Sequence, residues 1–342
     1  MTPPLAGPRQ LNRRGFLFGA TGVLAAAGLA ACGTGGGDQA PADQARPAGP
    51  GFPASIPNRY GTAEIPAAPQ RIASLGITDH DVLLPLGLVP AGLTQWGPWD
   101  SGVGPWVEPM LDGQRPELLS GEVDVERVLS LNPDVMLALQ SALTAEQYNR
   151  LTSFNPVVAQ PPGSIDYGVD WRVQAETIGK AVGKVEEVAR LIADTQARID
   201  QTRTANPGFA GRTHVTVRTD SAGTYAAYTK QDARTVLLEQ LGLVLAPSID
   251  GLDSGGKFNV KVSKERVSLL DADVVIVTTA KPTDVAAVRN DPLLNNLPAA
   301  KRGSLVLLDD YDLTMALGSA TVSSIPFALD RLTPKIAQAL QV

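Results

Sequence analysis

The sequence has few of the residues that bind metals, form disulfides or bind nucleic acids. Among 342 residues there is one cysteine, Cys32, and there are two histidines, His80 and His214. A single cysteine excludes an internal disulfide, and so few thiolates and imidazoles argue against a protein-ligated zinc site. Lys and Arg total 29 against 35 acidic residues, a formal net charge of -6. That balance argues against a surface that neutralises phosphates, so we expect no nucleic-acid partner.

Signatures of secreted hydrolases are also missing. The chain contains no Gly-x-Ser-x-Gly elbow, no His-Glu-x-x-His and no Walker loop. Residues 254–257 match Ser-x-x-Lys, but they lie in a glycine-rich stretch and the companion motifs Ser-Asp-Asn and Lys-Thr-Gly do not occur. We therefore predict a binding protein and not an enzyme; a secreted hydrolase that uses Ser254 is the alternative from another class.

An export signal opens the chain. Arg13 and Arg14 precede an uncharged stretch, residues 16–31, that is rich in Ala, Gly and Leu. It is shorter than the roughly 20 apolar residues that span a bilayer. The charged head, apolar middle and small-residue end are typical of a signal peptide, and the paired arginines resemble the twin-arginine export signal. The run LAAC, which ends at Cys32, resembles a bacterial lipobox in which that cysteine is acylated.

These features predict a signal peptide over residues 1–31 and a lipid anchor at Cys32 on the outer face of the cytoplasmic membrane. Residues 32–53 are rich in Gly, Pro and Ala and lack apolar periodicity, so they are predicted to be a flexible tether. The predicted signal peptide holds three of the basic side chains and none of the acidic ones, so its removal takes the net charge from -6 to -9. The exported body is therefore acidic.

Beyond the tether, short Val/Ile/Leu-rich strands alternate with helical stretches, the pattern of parallel α/β lobes. Residues 126–135, ERVLSLNPDV, match residues 265–274, ERVSLLDADV, without a gap. The run LGLV also occurs twice, at 86–89 and at 241–244. Such a repeat predicts two similar lobes. The predicted strands are Ile72–Leu75, Ala91–Leu93, Val135–Leu139, His214–Arg218, Val274–Val277 and Leu305–Leu308.

The predicted fold is α/β, with two Rossmann-like lobes whose central sheets are mainly parallel. They comprise residues 54–183 and 207–342. Residues 184–206 contain no proline and space their apolar residues as a helix does, so a single helix of about 30 Å is predicted to join the lobes. Gly183 is predicted to separate it from the helix before. The ligand cleft is expected between the lobes.

Loops that leave the carboxyl ends of the strands carry the candidate ligand contacts, because open α/β sheets bind ligands there. Three of the four tryptophans fall close together in the sequence, and they either cap the core or line a cleft wall that suits a large flat ligand. Arg218 ends a strand, and its guanidinium would pair with a ligand oxyanion or with a surface acid. The candidates are Trp96, Trp99, Trp106, His80, Arg218, Tyr225, Tyr228, Lys281 and Tyr311.

Two further features bear on these candidates. His80 also fits the start of a helix whose N-cap is Thr78, which is the blander alternative to ligand contact. Residues 52–170 hold 5 Arg and no Lys against 14 acids, whereas residues 207–342 hold 14 basic and 14 acidic residues. The first lobe would therefore repel a strongly anionic ligand. That charge balance favours a neutral or weakly cationic ligand, or an anionic one held mainly by the second lobe.

Two stretches carry a family resemblance. Residues 71–92, RIASLGITDHDVLLPLGLVPAG, and residues 124–138, DVERVLSLNPDVMLA, resemble the iron-siderophore-binding proteins of bacterial ABC importers. The resemblance implies two α/β lobes joined by a long helix, a ferric chelate in the cleft, no other cofactor, and a monomer that delivers its ligand to a membrane permease. Haem and cobalamin carriers share these motifs; for haem, Tyr225, Tyr228 or His80 would be the axial ligand.

The same resemblance implies a pair of docking acids, one on each lobe, for arginines of the permease. A capping-box pattern that starts at Thr144 places Glu146 in the first turn of a helix. Asp284 falls in the corresponding place of the second lobe, at almost the same offset as the sequence repeat. We predict Glu146 and Asp284 as the docking pair, and Glu126 and Glu265 are the rival pair.

Overall fold

A β-hairpin is the first regular structure within the described residues. The computed structural model describes residues 49–120, 123–220, 222–252 and 254–342. The predicted signal peptide, Cys32 and the tether up to residue 48 lie outside the described residues. Strands β1 (Ala54–Asn58) and β2 (Gly61–Ile65) pair antiparallel. Buried residues alternate with exposed ones along β1, as expected for a strand with one face against the core. The first strand thus starts where the sequence predicts the tether to end.

The first lobe is built on a parallel sheet. Its strands are β3 (Ile72–Ser74), β4 (Gly92–Thr94), β5 (Glu117–Leu119), β6 (Val135–Ala138) and β7 (Val157–Ala159). Their order in the sheet is β5-β4-β3-β6-β7. The lobe's helices are α1 (His80–Leu83), α2 (Val125–Ser130), α3 (Ala145–Thr152) and α4 (Trp171–Val182). Every residue of β3, β6 and β7 is buried, so these strands are continuous apolar runs, as in sheets covered on both faces.

The second lobe has a mixed sheet. After the helix α5 (Val185–Ala205), its strands are β8 (Thr213–Thr219), β9 (Tyr225–Tyr228), β10 (Val244–Leu245), β11 (Asn259–Val262), β12 (Val274–Thr279) and β13 (Leu305–Leu307). The order is β11-β9-β8-β12-β13, with β10 also beside β8. Its helices are α6 (Ala233–Gln240), α7 (Pro247–Asp250), α8 (Val285–Arg289), α9 (Pro292–Asn295), α10 (Pro298–Lys301), α11 (Tyr311–Ser319) and α12 (Ser324–Leu340).

The two sheets share a parallel core that follows the sequence repeat. The order β4-β3-β6-β7 in the first lobe corresponds to β10-β8-β12-β13 in the second. The repeated segment 126–135 runs from α2 into β6, and its copy 265–274 runs from the 3-10 helix Lys264–Leu270 into β12. All six predicted strands form, with ends close to those predicted. The antiparallel pairing of β9 with β8 and β11 has no counterpart in the first lobe as described.

The helix α5 lies against both lobes and is not a free rod. Gly183, at a left-handed φ of 69°, ends α4, so the predicted break between the helices is confirmed. Val188, Thr195 and Ile199 of α5 are buried. The largest hydrophobic cluster contains Val188 and Ile199 together with residues of both sheets. The helix therefore joins the lobes through a continuous core. Among the described residues, none of the helices is both long and apolar enough to cross a bilayer.

Candidate ligand-binding site

A cavity of about 270 Å³ lies where the loops of the two lobes meet. Five of its lining residues come from the first lobe and the others from the second. First-lobe residues are Ile77, Thr78, Trp96, Gln140 and Tyr167; second-lobe residues are Arg218, Tyr228, Asp232, Ala233, Arg234, Phe258, Gly318 and Ser319. Among the predicted site residues, the structure thus brings Trp96, Arg218 and Tyr228 together across one space.

The first-lobe wall is uncharged and is set by strand ends. Thr78 follows β3, Trp96 follows β4 and Gln140 follows β6, so three neighbouring parallel strands deliver their loops to the same edge. The Gln140 Nε2 donates to the Val169 carbonyl at 2.7 Å, which fixes the amide. Its Oε1 has no partner among the described residues and is buried. This wall therefore offers an aromatic face and no charged side chain.

Tyr167 stands at the mouth of the cavity. Its backbone adopts a φ of 57°, which is uncommon for an aromatic residue, and the residue remains 43% exposed. The loop that carries it is held by Arg59, which bonds Asp166 Oδ1 and the Ser164 carbonyl, both at 2.5 Å. Tyr167 also borders two open grooves of about 500 and 490 Å³. Tyr167 therefore borders the cavity and both grooves.

The second-lobe wall contains a buried ion pair. Asp232 caps α6, and its Oδ2 lies 2.9 Å from Nη1 of Arg234. The guanidinium also stacks over the Tyr228 ring, 4.1 Å from its centre. Burial raises the pKa of Asp232, which Arg234 opposes. Burial alone would lower the pKa of Arg234, but the Asp232 carboxylate holds it above its usual value. The short contact between them holds both side chains in place.

Arg218 carries the charge that this wall leaves uncompensated. It lies on β8, is exposed, and lines the cavity. Among the described residues no carboxylate lies within ion-pair distance of it, in contrast to Arg234. An unpaired guanidinium facing a cavity can donate to ligand oxygens without first breaking an internal pair. The surface ion pair that was the alternative for Arg218 is absent from the described part of the chain.

The other predicted contacts lie outside the cavity. Trp99 and Trp106 stack edge to face, with centroids 5.3 Å apart, where the first lobe meets α11 and α12. Tyr225 is buried, and its hydroxyl bonds Asp291 Oδ2 at 2.5 Å; burial raises its pKa. Lys281 is exposed on the loop after β12, and the Tyr311 hydroxyl donates to the Ala280 carbonyl at 3.3 Å. None of these five side chains is among the residues that line the cavity.

His80 is buried as the first residue of α1, where burial lowers its pKa to about 4. The predicted N-cap, Thr78, is wrong: Asp79 occupies that position and makes no side-chain cap. Asp79 instead accepts the Leu139 N–H at 2.8 Å, and Thr78 accepts the Gln174 amide at 3.1 Å. Of the three candidate haem ligands, only Tyr228 lines the cavity, and its ring is covered by Arg234.

Sequence reasoning missed four lining residues that matter chemically: Tyr167, Asp232, Arg234 and Phe258. A signal existed for two of them. Tyr167 is a lone aromatic in a loop rich in proline and glycine, and Phe258 directly follows the glycine-rich stretch 255–257. Asp232 shows the pattern of a helix N-cap, which indicates α6 but not a ligand site. The pairing of Asp232 with Arg234 becomes visible only from the orientation of α6.

The candidate docking acids differ in exposure. The capping box at Thr144 is confirmed, and Glu146 is exposed in the first turn of α3. Asp284 is 7% exposed, and its carboxylate accepts the Lys281 N–H at 3.2 Å. An acid buried in this way cannot present a charge to a partner. Glu126 and Glu265 are both exposed, at equivalent positions of the repeat.

The described residues contain no group of three or more His, Cys, Asp or Glu side chains that could hold a metal ion. The charged and aromatic groups that do converge on the cavity suit the outer surface of a ligand and not a bare cation. Whatever enters this space is therefore recognised through its shape, its apolar faces and its oxygen atoms.

Comparisons with known proteins agree with this geometry. A family model described as periplasmic binding protein matches residues 72–311. A periplasmic solute binding protein from Mycobacterium smegmatis is 32% identical, with a TM-score of 0.74 over 84% of this chain and 98% of its own. PiaA of Streptococcus pneumoniae, solved with ferrichrome, is 27% identical, with a TM-score of 0.72 over 84% of this chain and 99% of its own.

At the sequence level, the probable siderophore-binding lipoprotein YfiY of Bacillus subtilis is 26% identical over 280 residues, which are 77% of this chain and 82% of its own. Together with the solved structures, this similarity covers both lobes and the helix between them. The predicted fold of two α/β lobes joined by a long helix is thereby confirmed.

Proposed function

Because the chain belongs to the periplasmic binding protein family, we propose that it captures a ferric siderophore outside the cytoplasmic membrane and delivers it to an ABC permease. The observation that carries this proposal is the interlobe cavity, in which aromatic rings and arginines converge. Like its relatives, the chain is a solute-binding protein and not an enzyme. Binding therefore makes and breaks no covalent bond.

The chemistry of the cavity suits iron that arrives already chelated. Trp96, Tyr167 and Phe258 offer flat apolar surfaces to the organic shell of a chelate. Arg218 offers a planar set of N–H donors to the oxygens that surround the iron. The cavity of about 270 Å³ is at the small end for a drug-sized ligand, and the groove of about 500 Å³ that shares Ile77 and Tyr167 supplies the remaining room.

The relatives support the same ligand class. PiaA was solved with ferrichrome, and YfiY is named a siderophore-binding lipoprotein. The lipobox-like run at Cys32 supports export and a lipid anchor for this chain as well. We expect the anchored protein to act as a monomer that keeps its cleft within reach of a permease in the same membrane. No cofactor takes part in this binding.

Tryptophan-fluorescence quenching by a panel of ligands tests the proposal. The panel is ferrichrome, a ferric tricatecholate, ferric citrate, haemin and cobalamin, with the iron-free siderophores as controls. We expect saturable quenching by one ferric siderophore and none by haemin or cobalamin. Saturation by haemin alone, with a Soret band, or by cobalamin alone would contradict the siderophore assignment. Arg218→Ala should weaken the saturable signal, whereas Arg289→Ala, an exposed surface arginine paired with Asp309, should not.

For the permease, exposure favours Glu126 and Glu265 over the pair Glu146 and Asp284. Glu126 is 75% exposed at its side chain and is bonded to Arg150. Glu265 occupies the matching position of the second lobe. Because Asp284 is buried, the pair that includes it has one accessible charge at most.

Charge reversal separates the two pairs. Glu126→Arg with Glu265→Arg should abolish uptake of the radiolabelled ligand by cells while leaving its affinity for the purified protein unchanged. Glu146→Arg alone is the matched control, because it places the same new charge on the same lobe. Loss of uptake in the control, with normal uptake in the double variant, would return the assignment to Glu146.

A further inference from the structure

A buried carboxylate joins the two lobes behind the cavity. Asp81, in α1 of the first lobe, is 1% exposed. Its Oδ2 accepts the Thr321 hydroxyl of the second lobe at 2.8 Å, and its main-chain oxygen accepts the Ser323 hydroxyl at 2.7 Å. The same Oδ2 accepts the Trp106 Nε1 of its own lobe at 2.8 Å. One residue thus bonds both lobes; these four residues are called the interlobe joint below.

On the second-lobe side, the joint lies in a turn that is fixed by its own hydrogen bonds. Thr321 and Ser323 lie in the turn between α11 and α12, which follows Ala320 at a left-handed φ of 40°. Within the turn, Thr321 and Ser324 exchange hydrogen bonds between main chain and side chain. Thr195 of α5 donates to the Val322 carbonyl at 3.0 Å. The helix that connects the lobes and the joint therefore hold the same turn.

Aromatic contacts extend the joint along α11 and α12. Trp106 lies 5.5 Å from Phe327 of α12, centroid to centroid. Trp99, stacked on Trp106, donates its Nε1 to Asp312 Oδ1 of α11 at 2.9 Å. The loop that carries both rings also carries Trp96, which lines the cavity. A shift at the joint is thus transmitted to the first-lobe wall through a short, packed loop.

Both cavity walls contain residues that are close to the joint in the sequence. Thr78 and Ser319, which line the cavity, lie shortly before Asp81 and Thr321 in the sequence. A Cβ at Gly318 would lie 3.2 Å from Trp96 Cη2, so the two walls approach each other directly at this point. The separation of the walls therefore depends on how the joint is held.

We propose that Asp81 is a positioning residue for ligand capture: by bonding Trp106 and Thr321 together it sets the separation of the two cavity walls. The inference rests on the proposed function for the ligand, but the joint itself is a property of the ligand-free protein. Asp81 does not line the cavity. Its effect on affinity reaches the ligand through the lobes.

The protonation of Asp81 should make the opening of the joint depend on pH. Burial raises the pKa of Asp81 to about 7, and the charge of Asp79 adds to the rise. The other titratable groups around the joint are His80, with its pKa lowered to about 4, Asp312 on Trp99 and Arg331 on Phe327; α4 and α5 contribute the neutral Gln174 and Thr195. A pKa raised in the closed joint means that protonation favours closure and that ionisation favours opening to water.

Three variants test the inference. Thr321→Val removes the donor to Asp81, together with the acceptor of the Ser324 N–H, and keeps the shape of the residue, so exchange in α1 of the first lobe is the readout that reports on the joint. Thr216→Val is the matched control, because Thr216 is equally buried in the second lobe and its hydroxyl has no partner among the described residues. Asp81→Asn imitates the protonated acid. Hydrogen exchange is measured without ligand, and affinity is measured for whichever ferric siderophore saturates the wild type.

We expect peptides covering α1 to exchange about tenfold faster in Thr321→Val than in the control, because a buried hydrogen bond between the lobes is lost. Ligand affinity should fall by about the same factor. Wild-type affinity should weaken about three- to tenfold from pH 6 to pH 8.5, while Asp81→Asn stays flat. If Asp81→Asn fails to fold, Ser323→Ala replaces it as the second joint variant.

Exchange and affinity in Thr321→Val equal to the control would overturn the inference. So would a wild-type pH profile that Asp81→Asn reproduces. A wild type that binds no ferric chelate, with joint peptides that still open faster in Thr321→Val, would instead contradict the proposed ligand and leave the joint standing as a structural element.

Discussion

The two walls of the cavity differ in a way that the charge of their lobes does not indicate. The first lobe is strongly acidic, with residues 52–170 at a net charge of -9, yet its wall presents no charged side chain. The second lobe has as many bases as acids over residues 207–342, yet its wall carries Arg218, Arg234 and Asp232. Net charge describes the outer surface of each lobe; the loops at the strand ends decide what the ligand meets.

The walls also differ in how rigidly they are held. In the second lobe, Asp232, Arg234 and Tyr228 form one buried stack. In the first lobe, Tyr167 stands on a loop held by the half-exposed pair of Arg59 and Asp166. A fixed charged wall opposite a more accessible aromatic one suits a ligand that is oriented by its oxygens and then covered by rings. Four changes would break or sharpen this comparison.

Removing Arg234 should have the largest effect. Arg234→Ala would leave the Asp232 carboxylate buried without its counter-charge, which costs about 3–5 kcal/mol of unfolding free energy. Arg59→Ala is the matched change in the first lobe. The side chains of Arg59 and Asp166 are 26% and 52% exposed, and exposed pairs contribute about 0–1 kcal/mol. Urea denaturation measures both variants.

Equal losses from Arg234→Ala and Arg59→Ala would contradict the contrast between a buried and an accessible wall. The double variant Arg234→Ala with Asp232→Asn sharpens it further. Because a neutral amide is less costly to bury than an unpaired carboxylate, this variant should regain part of the stability that Arg234→Ala loses.

Arg218 should affect affinity and not stability. It is exposed and has no ion-pair partner among the described residues, so Arg218→Ala should change the unfolding free energy by no more than about 0.5 kcal/mol. The loss of its charge-assisted bonds should weaken binding of the ferric siderophore by about 1.5–3 kcal/mol, roughly 10- to 150-fold. Arg218→Lys should recover less than half of that loss because it lacks the planar donor set.

Fluorescence titration and urea denaturation of the same Arg218 variants separate the two effects. A variant that loses stability in proportion to affinity would show that Arg218 supports the fold. Unchanged affinity would show that the ligand is oriented from the first-lobe wall, which would reverse the roles assigned to the two walls.

Each lobe has one buried histidine, so the pH dependence of stability can be compared between the two interiors. His80 in the first lobe and His214 in the second are both buried, and burial lowers the pKa of each to about 4. Since the unfolded value is about 6.5, each neutral histidine contributes stability that is present above pH 6.5 and is lost as the pH falls toward 4. Each buried histidine should therefore lower the free energy of unfolding by about 2 kcal/mol at pH 5 relative to pH 7.5.

Urea denaturation of His214→Leu at several pH values checks this expectation. Neither ring nitrogen of His214 has a hydrogen-bond partner among the described residues, so the variant should keep its stability at pH 7.5 and lose less on acidification. His80→Leu should behave differently if Asp81 matters, because His80 Nε2 lies 3.6 Å from Asp81 Oδ1. Identical pH profiles for the two variants would show that burial alone acts in both lobes.

Much of the fold could be predicted from the sequence because its signals are local. The buried strands are continuous apolar runs, Gly183 marks a helix end, and the capping box at Thr144 is written in four consecutive residues. The repeat predicts the shared core because each copy is a helix followed by a strand. The strands β9 and β11 were not predicted because their place in the sheet depends on their neighbours and not on a local pattern.

The site could be predicted only in part because it depends on long-range contacts. The three clustered tryptophans have similar surroundings in the sequence, yet Trp96 faces the cavity while Trp99 and Trp106 contact α11 and α12, near the other end of the chain. Tyr225 and Tyr228 lie on one strand. The Tyr225 hydroxyl bonds Asp291 away from the cavity, whereas Tyr228 lines the cavity. No local pattern specifies which lobe surface each side chain meets.

Trp96 should give the smallest of the four effects, and it tests the wall that has no charge. Trp96→Ala removes an aromatic face that is half-buried before any ligand arrives, so only the contact with the ligand is lost. Trp96→Ala is expected to weaken the binding free energy by about 0.5–1.5 kcal/mol. Trp96→Phe should retain most of the affinity because it keeps an aromatic ring. Trp171→Phe is the control, since that ring is buried in α4, outside the cavity. If Trp96→Ala costs more than Arg218→Ala in the same titration, the aromatic wall, and not the charged one, provides the main hold on the ligand.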